Sequence, residues 1–160
     1  MGYAPIWQYT KQMKHTELKV VGISPNAKNP KEVTKSLYAS QPAAGFPAPG
    51  DDLVEKPLDL NDLLIENPTS TFFVRVKGDS MDGAKIHDGD VLVVDRSVTP
   101  KSGHIVVAAV YGELVVKQLE ASQNRLTLIS ANKDYEPIVV EEAEDCYIWG
   151  VVVGSARVLR

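Results

Sequence analysis

"TFFVRVKGDSMDGAKIHDGDVLVVDR", residues 71–96, is a pair of strand-length runs of β-branched and aromatic residues set around a turn rich in Asp and Gly. Short apolar runs bounded by Gly, Asp and Pro favour strands over helices. The first run stops at Gly78, the second begins after Asp90, and Ser80 falls just past the first strand end. Such a junction exposes a hydroxyl and can aim consecutive backbone N–H groups at one point, as an oxyanion hole requires. Taken as a turn alone, the same residues cap local amides through Asp79 and Ser80.

Outward from this stretch the pattern repeats. "GHIVVAAVY", "ELVVKQLE", "RLTLIS", "PIVV" and "CYIWGVVVGSARVL" follow as further strands, with "VYGEL" (110–114) as a tight hairpin. Upstream, "LDLNDLLIENP" reads as a short helix or turn stopped by Pro68, and "TELKVVGIS" (16–24) as a short strand. "NPKEVTKSLY" (29–38) offers an Asn cap and proline at the first helical position, which predicts a turn or two of helix. Between arm and β domain lies "AAGFPAPG" (43–50), where Pro47 and Pro49 fix φ and bias their predecessors to extended geometry. A linker is the plain reading. The expected fold is mainly β, a curled antiparallel or barrel-like sheet with a flexible N-terminal arm. The expected segments are an arm (1–44), an extended linker with a short helix (45–70) and the β domain (71–160).

At 160 residues the chain suits one domain with a real core plus an arm. Its net charge of −4 hides an asymmetry. Six lysines (Lys11, Lys14, Lys19, Lys28, Lys31, Lys35) face only Glu17 and Glu32 in residues 1–44, and the remainder is acidic. These lysines are spread out and no arginine joins them, so docking on the acidic body competes with nucleic-acid binding. The apolar runs are strand-length, well short of a membrane span, and no secretory signal opens the sequence. A cytoplasmic location is expected. The single cysteine, Cys146, rules out an internal disulfide and reads as a buried structural thiol among apolar neighbours.

Chemistry needs a base for Ser80. His15 lies in the arm, while His87 and His104 sit in turn-like settings without a triad pattern. Asp88, Asp90 and Asp95 invite a metal, but the histidines lack ligand spacing to Cys or Glu, so neither metal nor other cofactor is expected. Lys117 differs. Alternation in "ELVVKQLE" sets Val115, Lys117 and Leu119 on one face, and burial there lowers a lysine pKa by disfavouring its charge. A neutral lysine is a competent general base for serine. The alternative is an edge-strand lysine turned to water, which deters aggregation.

Together these elements resemble the LexA-like self-cleaving serine–lysine peptidases, most closely the UmuD-type mutagenesis proteins. The resemblance runs from about Ala43 to Arg160 and rests on "AAGFPAPG", "DLNDLLIENPTSTFFVRVKGDSM", "IHDGDVLVVDRSVT", "GHIVVAAVYGELVVKQL" and "WGVV", in that order. It implies Ser80 as nucleophile, Lys117 as general base, backbone amides of Asp79 and Ser80 as oxyanion hole, and Ala44–Gly45 as the bond cut. "AAGFPAPG" then becomes a built-in substrate, its small Ala44 and Gly45 letting the backbone approach the serine closely. The resemblance further implies a homodimer joined through its C-terminal region and a RecA filament on single-stranded DNA as trigger. The cleaved form would be the accessory subunit of an error-prone Y-family DNA polymerase in translesion synthesis. No membrane association and no strong direct DNA binding are expected. Residues 1–42 exceed the arm typical of UmuD-like proteins and take no family role. The rival from another class is a phage or plasmid transcriptional repressor, for which this arm is too short to supply a helix-turn-helix domain. A signal peptidase, which shares the serine–lysine chemistry, needs a membrane anchor.

The run "CYIWGVVVGSARVL" is too apolar for an exposed terminal strand, and pairing with a second copy satisfies it. Sedimentation at micromolar concentration is expected to give a dimer for both the intact and the cleaved chain; a monomer for both contradicts this.

Overall fold

Because its apolar residues are β-branched and come in short runs, the chain satisfies its backbone between strands rather than within helices. The computed structural model describes residues 17–26, 35–38 and 54–160. Along the described residues run β1 (Lys19–Pro25), β2 (Lys35–Tyr38), β3 (Val54–Leu58), α1 (Leu60–Leu64), β4 (Thr71–Lys77), β5 (Val91–Asp95), β6 (Ile105–Val110), β7 (Glu113–Ser122), β8 (Arg125–Ile129), β9 (Ile138–Val140) and β10 (Cys146–Ala156). The main sheet has the order β1-β4-β5-β10-β6-β7-β8-β9, with every pairing antiparallel. A bridge from Lys19 of β1 to Val115 of β7 joins the sheet to itself. The strands from β1 to β7 thereby close into a barrel, and β8 and β9 continue from β7 as an extension. Closure removes the open edges that a curled sheet otherwise presents.

Alternation explains the unbroken apolar run of β6. Val107 turns to one cluster, with Val74, Val76, Leu92, Val94 and Val116, while Val106, Ala108 and Val110 turn to a second, with Val115, Leu119 and Leu128. Buried on both faces, the strand has no polar side to show. Its hairpin to β7 turns through Tyr111 (φ 49°) and Gly112 (φ 83°), the positive-φ pair that matches strand twist in a two-residue turn. Helix α1 is little more than a turn, started by Asp59, whose carboxylate accepts the Asn61 amide at 2.8 Å.

One expectation fails. Lys35–Tyr38 is a strand paired antiparallel with β3, not a helix; residues 29–34 lie outside the described residues, as does "AAGFPAPG". A single helical turn carries a costly nucleus, and a ladder with Val54–Leu58 satisfies the same backbone groups. "TELKVVGIS" does form a strand, and that strand belongs to the main sheet. Cys146 is half-buried against the second cluster rather than fully enclosed, and burial pushes its thiol pKa up. No helix among the described residues is long and apolar enough to cross a membrane.

Asp95, 2% exposed at the end of β5, fastens the loop after α1 to the sheet. Its carboxylate accepts from Asn67 Nδ2 (2.8 Å), Ser70 Oγ (2.8 Å), Ser97 N (2.8 Å) and Ser97 Oγ (2.7 Å). Burial pushes its pKa up, but the hydrogen bonds from Ser97, Asn67 and Ser70 outweigh it and hold it at about 2. A carboxyl depressed in the folded state stabilises above its unfolded pKa, and that stability is lost as pH falls through the folded value. Thermal unfolding of Asp95→Asn is therefore expected to show a loss of about 2 kcal/mol at neutral pH, and a flatter decline than wild type between about pH 4 and about pH 2.

Candidate functional site

Strand β4 ends in a reversal that only glycine accommodates easily, Gly78 having φ 125°. Its amide donates to Asp88 Oδ1 at 2.8 Å, and a short 3-10 turn (Asp82–Ala84) follows. Between them stands Ser80, with none of its surface exposed. The loop after β8 clasps this turn from behind. Gly83 N donates to Ala131 O (2.7 Å), Asn132 Nδ2 to Asp79 O (3.0 Å), Tyr135 Oη to Asp79 Oδ1 (2.6 Å) and Ala131 N to Met81 Sδ (3.3 Å). Burial and then the Asp79 carboxylate push the Tyr135 pKa far above the usual phenol value, so the hydroxyl stays a donor.

Lys117 enters from β7, opposite Val106 of β6, and is 1% exposed. Its ammonium donates to Ser130 Oγ, pairs with the Glu17 carboxylate, and lies 5.5 Å from the centre of the Tyr135 ring. An ammonium removed from water requires such company. Leu18, the next residue, donates its amide to Ser80 Oγ at 2.9 Å and accepts from Val116 N at 3.1 Å through its carbonyl. Glu17 and Leu18 thus touch Lys117 and Ser80 respectively, so both side chains face one short stretch of backbone. No buried side-chain nitrogen or oxygen among the described residues lacks a hydrogen-bond partner.

The structure therefore brings Ser80, Asp79 and Lys117 into one neighbourhood, and it buries the lysine instead of turning it to water. Ala44 and Gly45 lie outside the described residues. His87 Nδ1 lies 2.8 Å from Asp82 Oδ1, and His104 Nδ1 accepts the Lys101 amide at 3.2 Å. The three aspartates weighed for a metal are engaged separately. Asp88 takes the Gly78 amide, Asp95 its Ser and Asn donors, and Asp90 the Arg157 guanidinium at 2.6 and 2.7 Å. The hydrogen bond from Arg157 leads in holding the Asp90 pKa below its usual value. Glu17, Leu18, Ser130, Asn132 and Tyr135 went unmarked in the sequence. Only the end of the apolar run "RLTLIS" hinted at Ser130, because a polar residue closing a strand is common.

A buried serine hydroxyl and a buried lysine amine, held by the adjacent residues Leu18 and Glu17 with no direct hydrogen bond between them, are the component groups of serine–lysine acyl chemistry. Residues 36–153 match the family described as Peptidase S24-like. Protein MucA of Salmonella typhimurium is 42% identical over 120 residues, spanning 74% of this chain and 82% of that protein. Protein SamA of Salmonella typhimurium strain LT2 is 41% identical over 131 residues, 82% of this chain and 91% of that one. The LexA repressor of Xylella fastidiosa strain M23 is 36% identical over 147 residues, 91% of this chain and 68% of that one.

The clasp behind the serine turn tolerates no extra atom at Gly83, where a Cβ would lie 2.4 Å from Ala131 O. Gly83→Ala is expected to destabilise the fold by roughly 1–3 kcal/mol in urea titration, and to raise amide exchange across residues 79–83. Unchanged stability and exchange would show that the clasp does not hold the turn.

Proposed function

The chain belongs to the Peptidase S24-like family, and on that premise we propose that it is a self-cleaving serine peptidase of the DNA-damage response. The observation that carries the reading is that two adjacent residues meet the two buried side chains, Glu17 pairing with Lys117 and Leu18 with Ser80. In the proposed reaction Lys117, as the free amine, takes the Ser80 proton while Oγ attacks the Ala44 carbonyl carbon. Backbone amides of Asp79 and Ser80 receive the oxyanion. Collapse breaks the Ala44–Gly45 bond, the Gly45 amine leaves with the proton from Lys117, and water then releases the acyl group from Ser80. Ser130 and the Tyr135 ring hold the lysine amine from the side of the loop that also clasps the serine turn.

Topology supports a reaction within one chain. Ala44–Gly45 lies between β2 and β3, which pair with each other, and β3 leads through α1 into β4 and the serine turn. Tethering at both ends supplies effective molarity, so a modest site suffices. Cleavage then divides the proposed arm (1–44) from the linker (45–70) and β domain (71–160). The shortened chain acts in the cytoplasm as a homodimer, the accessory subunit of a Y-family polymerase in translesion synthesis. A RecA filament promotes the cut by binding better to the conformer in which the loop is docked. The likeness to a repressor motivates the rival reading, which requires tight, sequence-specific DNA binding by the intact chain at moderate salt.

Intact-mass time courses from neutral pH to about pH 10, with and without activated RecA, test the mechanism. Wild type should yield a fragment beginning at Gly45, faster as pH rises because the base works only as free amine. Ser80→Ala and Lys117→Ala should stay whole, slowed about a thousandfold or more. Ordinary cleavage in Ser80→Ala overturns the assignment.

A further inference from the structure

Strands β4 and β7 do not pair with each other; β1 stands between them and pairs with both. Without β1 the barrel has a slit one strand wide, bordered by the edge of β4 and by the N-terminal half of β7, whose edge from Gln118 onward is paired with β8. Roughly 9–10 Å separates strands that share a neighbour, which is room for an extended peptide and nothing bulkier. Ser80 and Lys117 stand at the mouth of this slit, where Leu18 and Glu17 reach them.

The slit is built to hold a particular sequence. Leu18, with no exposed surface, fills an apolar pocket among Val74, Val76, Met81, Leu92 and Val116. A smaller side chain there leaves a cavity, and a polar one strands its hydrogen-bonding groups. The residue before it must be acidic to meet Lys117, as Glu17 does. Backbone recognition comes from both rims, the Leu18 carbonyl accepting from Val116 and the Leu18 amide donating to Ser80 Oγ. Main-chain pairing plus side-chain pockets is the general mode of strand addition to a sheet.

Resting on the peptidase reading above, we infer that the slit between β4 and β7 is a binding site for an extended acidic–aliphatic peptide, and that residues 17–25 fill it as an inhibitory strand. Two contacts silence the dyad. A Ser80 oxygen accepting the Leu18 amide has that lone pair occupied, and an ammonium paired with Glu17 has no lone pair to take the serine proton. The Ala44–Gly45 bond reaches Ser80 only after β1 leaves, because two backbones cannot share one slit. Inhibition of this kind requires the hold to be reversible, against a β4 ladder that resumes from Gly22 to Pro25. Beyond Val20 the ladder shifts register, β7 is bridged only at Lys19, Val21 and Ile23 are half exposed, and the Lys19–Glu113 ion pair (2.9 Å) lies in solvent. Exposed pairs of that kind add little.

The test uses the full-length chain carrying Glu17→Gln or Leu18→Ser, the first being the conservative change should the second impair folding. Each should cut at Ala44–Gly45 about tenfold faster than wild type without any filament, since removing the occupant raises the fraction of open sites. A synthetic peptide of residues 16–25 added to Leu18→Ser should slow that cleavage again, and the same peptide with aspartate in place of leucine should not. Amide exchange supplies a readout apart from activity: Val116 N–H should lose protection in Leu18→Ser and regain it with the peptide, in Ser80→Ala background as well. Cleavage that still depends on Ser80 but runs at or below the wild-type rate in both variants overturns the inhibitory strand and leaves the peptidase reading standing. Cleavage independent of Ser80 overturns the peptidase reading, and Val116 exchange unaffected by Leu18→Ser or by peptide overturns the strand site itself.

Discussion

A lysine ammonium held out of water is the constraint around which the molecule is arranged. Lys117 is 1% exposed on a strand whose neighbours Val115, Val116 and Leu119 are apolar. An unpaired charge in that position is not tolerated, so each partner must be delivered by some other part of the chain. Glu17 comes from the segment before β1, Ser130 from the end of β8, and the ring of Tyr135 from the loop beyond. Satisfying one amine therefore draws three separate stretches to one place. The barrel closes around that amine because β1 arrives carrying both the carboxylate and the Leu18 side chain that fills the first core cluster.

The serine turn depends on the same assembly. Its backbone is fixed from behind by Ala131 and Asn132, and its Asp79 carboxylate by Tyr135, all from the loop that also faces Lys117. Coupling the two halves of the proposed dyad through one loop keeps their geometry common: a shift that frees the turn also disturbs the lysine. Farther away, buried carboxylates fasten the strand ends by the same means. Asp95 gathers neutral donors from Asn67, Ser70 and Ser97, and Asp90 takes the Arg157 guanidinium from beyond β10. These anchors sit at opposite ends of β5, the strand next to β4.

Stability and reactivity make opposing demands at the slit. With β1 seated, Leu18 is fully buried and no buried side-chain nitrogen or oxygen among the described residues is orphaned. With it withdrawn, two strand edges and a leucine-sized pocket meet solvent, which favours any extended segment able to take its place.

Much of this was legible in the residues themselves. Period-two runs of Val, Ile and Leu announced the strands of the β domain because side-chain alternation is a local property. Tyr111–Gly112 announced its hairpin for the same reason. Ser80 stood out at a strand end, and Lys117 inside an apolar run, since each is odd against its immediate neighbours. Local signals also misled: the Asn-Pro start of residues 29–38 suggested a helix, but Lys35–Tyr38 found a strand partner in Val54–Leu58, which no cap can foretell. The occupant of the site was illegible altogether. Glu17 lies 100 residues from Lys117 and Leu18 lies 62 from Ser80, and such pairings are set by closure of a barrel. Sequence alone determined the strands of the β domain and which two side chains are chemically out of place, but not the β2–β3 pair. Only the tertiary structure decided what those side chains touch, because a buried charge takes its partner from whatever strand the closing sheet brings alongside it.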